Sequence, residues 1–177
     1  LENTILQGLT FDAAAGRLAF KDVRYLLIRP ETLAAFQKAV EAELGERAGE
    51  LLYQGGFTGG SLSARRYREV FGYSDREIVE FMCRMGGEIG WGRFELKTLN
   101  ASRGELVVEV LRSPFAEAYG PATVGVCHLI RGVLGGLAEG VFGMSVRAEE
   151  VQCLAKGDAV CKFVIMRICS DVVFFGG

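Results

Sequence analysis

The sequence predicts a mixed α/β domain in which an antiparallel sheet packs against helices and a cysteine-bearing hairpin closes the C-terminal end. Three observations carry this. Several segments repeat their apolar residues with helical spacing. Two segments, Trp91–Lys97 and Glu105–Arg112, alternate with period two around a polar Asn100–Gly104 turn. Three of the five cysteines fall between residues 127 and 161, two of them flanking a Lys156-Gly157-Asp158 turn signal.

The first elements read as short strands. Ala15-Gly16-Arg17 separates a strand around Phe11 from Leu18–Phe20, and Val23–Ile28 reads as a buried strand because β-branched and aromatic residues suit a sheet. Pro30 and Glu31 open a helix, since proline suits a first turn and a carboxylate the positive end of the dipole. Its stripe is Leu33, Phe36, Val40 and Leu44, and Gly45 closes it. A second helix starts near Glu46, passes Leu51, Leu52 and Tyr53, and meets a glycine-rich loop, Gly55-Gly56-Phe57-Thr58-Gly59-Gly60. That spacing fits neither a dinucleotide fingerprint nor a P-loop, so close backbone packing or room for a ligand is the better reading. Arg65, Arg66 and Arg68 read as a solvated helix face.

Ser74 with Glu77 three residues on is a capping-box signature that starts a helix over 75–85. Ile78, Phe81, Met82 and Met85 form its apolar stripe. The two alternating strands follow. After Ser113-Pro114-Phe115 a long helix is predicted over 124–142. Gly132, Gly136 and Gly140 leave one of its faces without side chains, and each costs about 1 kcal/mol against alanine, which points to close contact with another backbone or a bulky ligand. The last hairpin then carries Cys153 and Cys161. With Lys156-Gly157-Asp158 as its loop, those two face each other with Cβ atoms about 5 Å apart.

Cys127, Glu150, Cys153 and Cys161 could close a tetrahedral site, for which zinc is the default ion, with no position left for water and so a structural role. Glu150 and Cys153 differ by an odd number, and a regular strand would send them to opposite faces; a bulge between them is required. A disulfide, or plain buried thiols, stay open on spacing alone.

The composition bounds the function. The 177 residues fit one domain, 50% are hydrophobic and 24% charged, and the net charge is −2 without a long basic run, which argues against direct nucleic-acid binding. An odd cysteine count argues against a disulfide framework and for a reducing, cytoplasmic setting. The most apolar run, residues 122–144, carries His128, Arg131 and Glu139, each costly at membrane depth, so no span is expected. The chain begins at Leu1 rather than Met and reads as trimmed or as part of a longer protein. No nicotinamide or flavin motif supports catalysis. Cys83, Cys169 and His128 read as structural residues, and the apolar tail over 172–175 has no assigned place.

The segments Gly125–Gly132 (GVCHLIRG), Gly140–Gly143 (GVFG) and Glu149–Phe163 (EEVQCLAKGDAVCKF) resemble the 4-vinyl reductase domain. They are also similar to the aromatic-effector sensor domain of phenol- and xylene-responsive bacterial transcription activators. The resemblance covers about residues 16–165 and is sharpest in the last third. It implies zinc held by Cys127, Glu150, Cys153 and Cys161, a single domain over 1–177 with its N-terminal strands, 1–28, available for dimerisation, a homodimer, and an apolar small-molecule pocket. Candidate pocket residues are Ile78, Met82, Met85, Trp91, Val110, Leu111, Phe115 and Leu134. The family's His and Trp contacts to a phenolic hydroxyl align with Met82 or Cys83 and with Val110 or Leu111, which points to a more apolar or larger ligand than phenol. A hydrophobic-ligand sensor is the expected function. An accessory protein or reductase of bacteriochlorophyll (tetrapyrrole) synthesis and a structural interaction module are the alternatives.

Overall fold

The computed structural model describes residues 2–21 and 23–168. Asn3 caps the first short helix, α1 (Thr4–Gly8), by accepting from the Leu6 amide. Helix α1 docks on Glu88, whose carboxylate accepts from Thr4 Oγ1 and the Ile5 amide at 2.7 and 2.9 Å. Strands β1 (Leu9–Asp12), β2 (Arg17–Phe20) and β3 (Val23–Tyr25) form an antiparallel three-stranded sheet. The third strand is shorter than its composition predicts. It stops at Tyr25, and Leu26 and Leu27 are 73% and 87% exposed, because no further partner strand covers them among the described residues.

Helix α2 (Pro30–Leu44) has the predicted bounds, ending on Gly45 at φ +58°. Its stripe is less buried than expected. Phe36 and Leu44 stay exposed, and Ala34 is its one buried residue. Helix α3 (Arg47–Phe71) runs straight through the six-residue glycine-rich stretch read above as a loop. Glycine lowers helix propensity, so the local signal favours a break. Tertiary packing overrides it, because Gly56 and Gly60 lie against the backbone of a later helix, α6 (His128–Phe142). A Cβ at Gly56 would collide with the Leu129 carbonyl, and one at Gly60 with the Val133 carbonyl. The relation is reciprocal. A Cβ at Gly132 or Gly136 would strike the carbonyl of Tyr53 or Phe57. The two helices meet backbone to backbone.

Helix α4 (Asp75–Glu88) carries the full capping box, with Ser74 and Glu77 bonded reciprocally, and buries Ile78, Phe81, Met82 and Met85. Strands β4 (Arg93–Asn100) and β5 (Glu105–Leu111) pair antiparallel, as their alternation predicts. A short helix that the sequence reading does not anticipate, α5 (Pro114–Tyr119), follows, and Pro114 at its first position starts it. Helix α6 begins at His128, four residues later than predicted, with Cys127 as its N-cap residue. Strands β6 (Val146–Gln152) and β7 (Cys161–Arg167) complete a four-stranded antiparallel sheet in the order β4-β5-β7-β6.

One face of this sheet is apolar and fully buried, through the register pairs Leu106–Ile165, Val108–Phe163 and Val110–Cys161. On the other face Glu109 bridges Lys97 and Lys162 at 3.1 and 3.3 Å, across three strands. No helix among the described residues is long and apolar enough to cross a membrane. Cys169 and the 172–175 tail lie outside the described residues.

Candidate functional site

Two features separate from the rest of the core. The first is a closed cluster of Cys127, Glu150, Cys153 and Cys161, whose ligand atoms all lie within 4.8 Å of one another. Each is placed by a different local device. Cys127 sits at the N-cap of α6 and is 1% exposed. Glu150 lies on β6, where pairing with β7 shifts register between Glu150 and Gln152. That shift is the bulge which the odd spacing of Glu150 and Cys153 requires. Cys153 follows the end of β6 and leads into a 3-10 turn, Leu154–Lys156, and Gly157 reverses the chain at φ +91°. Asp158 stabilises the turn, its Oδ2 accepting from the Cys153 amide at 2.8 Å. The loop is therefore longer than the three residues expected, while the facing of Cys153 and Cys161 is kept. Cys161 starts β7.

Cys127 Sγ lies 3.7 Å from Cys161 Sγ, and Cys161 Sγ lies 4.0 Å from Cys153 Sγ. A disulfide needs about 2.05 Å, so these are free thiols. The edge of a tetrahedron with zinc–sulfur bonds of about 2.3 Å is about 3.8 Å, which these separations match. The Leu154 amide donates to Cys161 Sγ at 3.4 Å, and Ser113, fully buried, places its hydroxyl 3.6 Å from Cys127 Sγ. Sequence reading missed Ser113; its one signal is its place beside Pro114. Glu150 Oε2 accepts from the Cys127 amide at 2.9 Å, while Oε1 is buried with no partner. Gly125 leaves the space this carboxylate fills, since a Cβ there would lie 2.6 Å from Oε2.

Burial, then hydrogen bonding to Cys153, raises the Glu150 pKa to about 8. Hydrogen bonds to Cys153 and Cys161, with burial, push Cys127 up. Hydrogen bonds from Cys127 and Cys161 push Cys153 down. A cation entering the cluster would displace the protons that these groups hold. Three sulfurs, one buried unpaired oxygen and near-tetrahedral spacing make a donor set that fits a metal ion.

The second feature is a cavity of about 330 Å³ between β3, α3, α4, β4 and α6. Of the residues named as pocket candidates, Met82, Met85, Trp91 and Leu134 line it. Ile78 and Val110 lie fully buried in the core, Leu111 is half-buried on β5, and Phe115 packs edge-on to Trp91 with ring centroids 5.1 Å apart. The wall also includes Tyr25, Tyr67 and Phe94, which sequence reading did not single out, and Arg66, expected on a solvated helix face but half-buried, with its Nε enclosed. They come from separate segments, and only the fold brings them together. Cys83 is buried, and burial pushes its thiol up to about 12. His128, half-buried at the start of α6, packs against Gly49, and burial lowers its pKa.

The chain belongs to the activator of aromatic catabolism family, whose model matches residues 5–102, more than half of its length. Residues 106–167 match the model of the 4-vinyl reductase domain. Among solved structures, the fold is similar to the phenol-responsive sensory domain of the transcription activator PoxR, solved with phenol. That match has a TM-score of 0.81 and 22% identity, over 93% of this chain and 87% of that one. It is also similar to a trafficking protein particle complex subunit 3 from Naegleria fowleri covalently bound to palmitic acid, with a TM-score of 0.58, 14% identity and coverage of 79% and 95%. A vinyl-4-reductase family protein from Methanocaldococcus jannaschii matches with a TM-score of 0.54, 15% identity and coverage of 84% and 86%. At these identities the likeness establishes the fold. No curated protein matches the chain.

Proposed function

We propose that this chain is a zinc-stabilised sensor domain for a hydrophobic or aromatic small molecule. The observation that carries the reading is the apolar cavity of about 330 Å³, walled by Met82, Met85, Trp91, Phe94 and Leu134, in a chain of this family. A volume in that range suits a small ligand held mainly by apolar contact. The PoxR sensory domain is phenol-responsive, and that supports an aromatic effector here. The places aligned with the family's hydroxyl contacts hold Met82 or Cys83 and Val110 or Leu111, which favours a ligand more apolar or larger than phenol.

Zinc would be held by Cys127, Glu150, Cys153 and Cys161. With four protein ligands its role is structural, tying the start of α6 to the β6–β7 hairpin. The free thiols suit a reducing, cytoplasmic setting. The chain acts as one domain over 1–177 and pairs as a homodimer through the strands of 1–28, where Phe11, Leu26 and Leu27 are exposed.

Native mass spectrometry with a thermal-melt series tests this. The expected result is a dimer with one zinc per chain and a melting temperature raised by toluene or a larger alkylbenzene. A metal-free, well-folded protein would remove the zinc reading. Absence of stabilisation by any aromatic would remove the sensor reading.

A further inference from the structure

The cavity is apolar except at one corner, where Tyr25, Ser63, Arg66 and Tyr67 share its wall. The donors there are poorly used. The Tyr25 and Tyr67 hydroxyls both donate to Met85 Sδ, at 3.8 and 3.2 Å, and a thioether is a weak acceptor. Arg66 forms no ion pair among the described residues. Its Nε is buried with no partner, and one terminal nitrogen reaches the Lys21 carbonyl at 3.5 Å. A guanidinium offers five donors, so most of its capacity is unspent. Its helical neighbours differ. Arg68 is paired with Asp75 at 2.6 Å and donates to the Gly140 carbonyl, and Arg65 lines a separate open groove.

Burial raises the pKa of both tyrosines, that of Tyr67 to about 12, and the charge of Arg66 works against that rise in each. The three groups are therefore electrostatic neighbours, and both hydroxyls stay protonated as donors. A neutral hydrocarbon would fill the cavity and leave Arg66 unpaired. A carboxylate would accept two parallel N–H bonds from the guanidinium fork, in a setting where low polarity strengthens the pairing.

We propose that the cavity takes an amphipathic acid. Its aromatic or alkyl body lies among Met82, Trp91, Phe94 and Leu134, and its carboxylate pairs with Arg66, with the Tyr25 and Tyr67 hydroxyls as flanking donors. This rests on the cavity being the ligand site.

The test is calorimetric titration of the whole metal-loaded chain with three probes of one skeleton: 4-propylbenzoate, its neutral isostere 4-propylbenzamide, and propylbenzene. The expected result is binding of the benzoate at least tenfold tighter than the benzamide. Arg66→Gln should cut benzoate affinity at least tenfold and leave the benzamide within twofold, with zinc content and melting temperature unchanged. Equal affinity for benzoate and benzamide, or a preference that survives Arg66→Gln, would overturn the acid proposal. Binding of propylbenzene alone would overturn it while leaving the cavity as the ligand site. Binding of none of the three would remove the cavity reading and the acid proposal together.

Discussion

The cysteine cluster and the cavity share one helix and are built on opposite plans. In the cluster, Cys127 precedes α6, and three buried sulfurs and a half-buried carboxylate turn inward on one another. In the cavity, Leu134, two turns further along α6, faces open space walled by residues from five elements. The first arrangement is chemically closed and geometrically strict. The second is left loose at a place where a well-packed core would be filled. The difference teaches where each task is located. On the proposed reading, a four-ligand site fixes the fold, and the unfilled space is free to vary with the ligand.

The sharpest way to break this contrast is to open the cluster. Cys161→Ser removes a sulfur that both other cysteines contact. Structural zinc contributes about 10–16 kcal/mol of apparent binding free energy in small domains, against a total stability of about 5–15 kcal/mol. The expected outcome is loss of metal together with loss of the cooperative thermal transition, read by elemental analysis and circular dichroism. A variant that keeps a full equivalent of zinc and its melting temperature would show that Cys161 is not a ligand.

The two regions also differ in how far the sequence discloses them. The cluster is local in chemistry: Cys153 and Cys161 lie eight residues apart, and the need for a bulge after Glu150 follows from side-chain alternation alone. The capping box at Ser74, the β4–β5 pair and the bounds of α2 are equally local and equally readable. The cavity is not. Tyr25, Arg66 and Phe94 become neighbours through tertiary packing, and nothing in the residues around each one marks it. The glycine-rich stretch fails for a related reason. Gly55 to Gly60 look like a loop because glycine is a poor helix former, while the compensating contact comes from α6, some 75 residues away.

That glycine seam joins the two regions, since α6 starts directly after Cys127 and carries Leu134, so it offers a second and smaller perturbation. Adjacent glycines give opposite expectations. Gly56→Ala places a methyl against the Leu129 carbonyl and 3.0 Å from the Val133 amide nitrogen. Overpacking of this kind costs about 1–3 kcal/mol. Gly55→Ala meets nothing within 4 Å and improves helix propensity, for a gain of about 1 kcal/mol. Urea denaturation of the pair reads the difference directly. Equal effects from both substitutions would mean that α3 and α6 do not meet backbone to backbone.

The smallest expected effect falls on the cavity side alone. Helix α4 contributes Met82, Met85 and Gly86 to the wall, and Ser74 caps it, bonding the Glu77 carboxylate at 2.6 and 2.8 Å through its hydroxyl and amide. Ser74→Ala leaves the first turn of α4 without its side-chain acceptor and costs about 1 kcal/mol. Cluster and cap share no contact, so zinc stoichiometry should be unchanged while the denaturation midpoint falls slightly and affinity for an aromatic probe weakens by severalfold at most. Loss of zinc in this variant would mean that cavity and cluster are one cooperative unit, and that the division of labour between a fixed start and a variable middle of α6 does not hold.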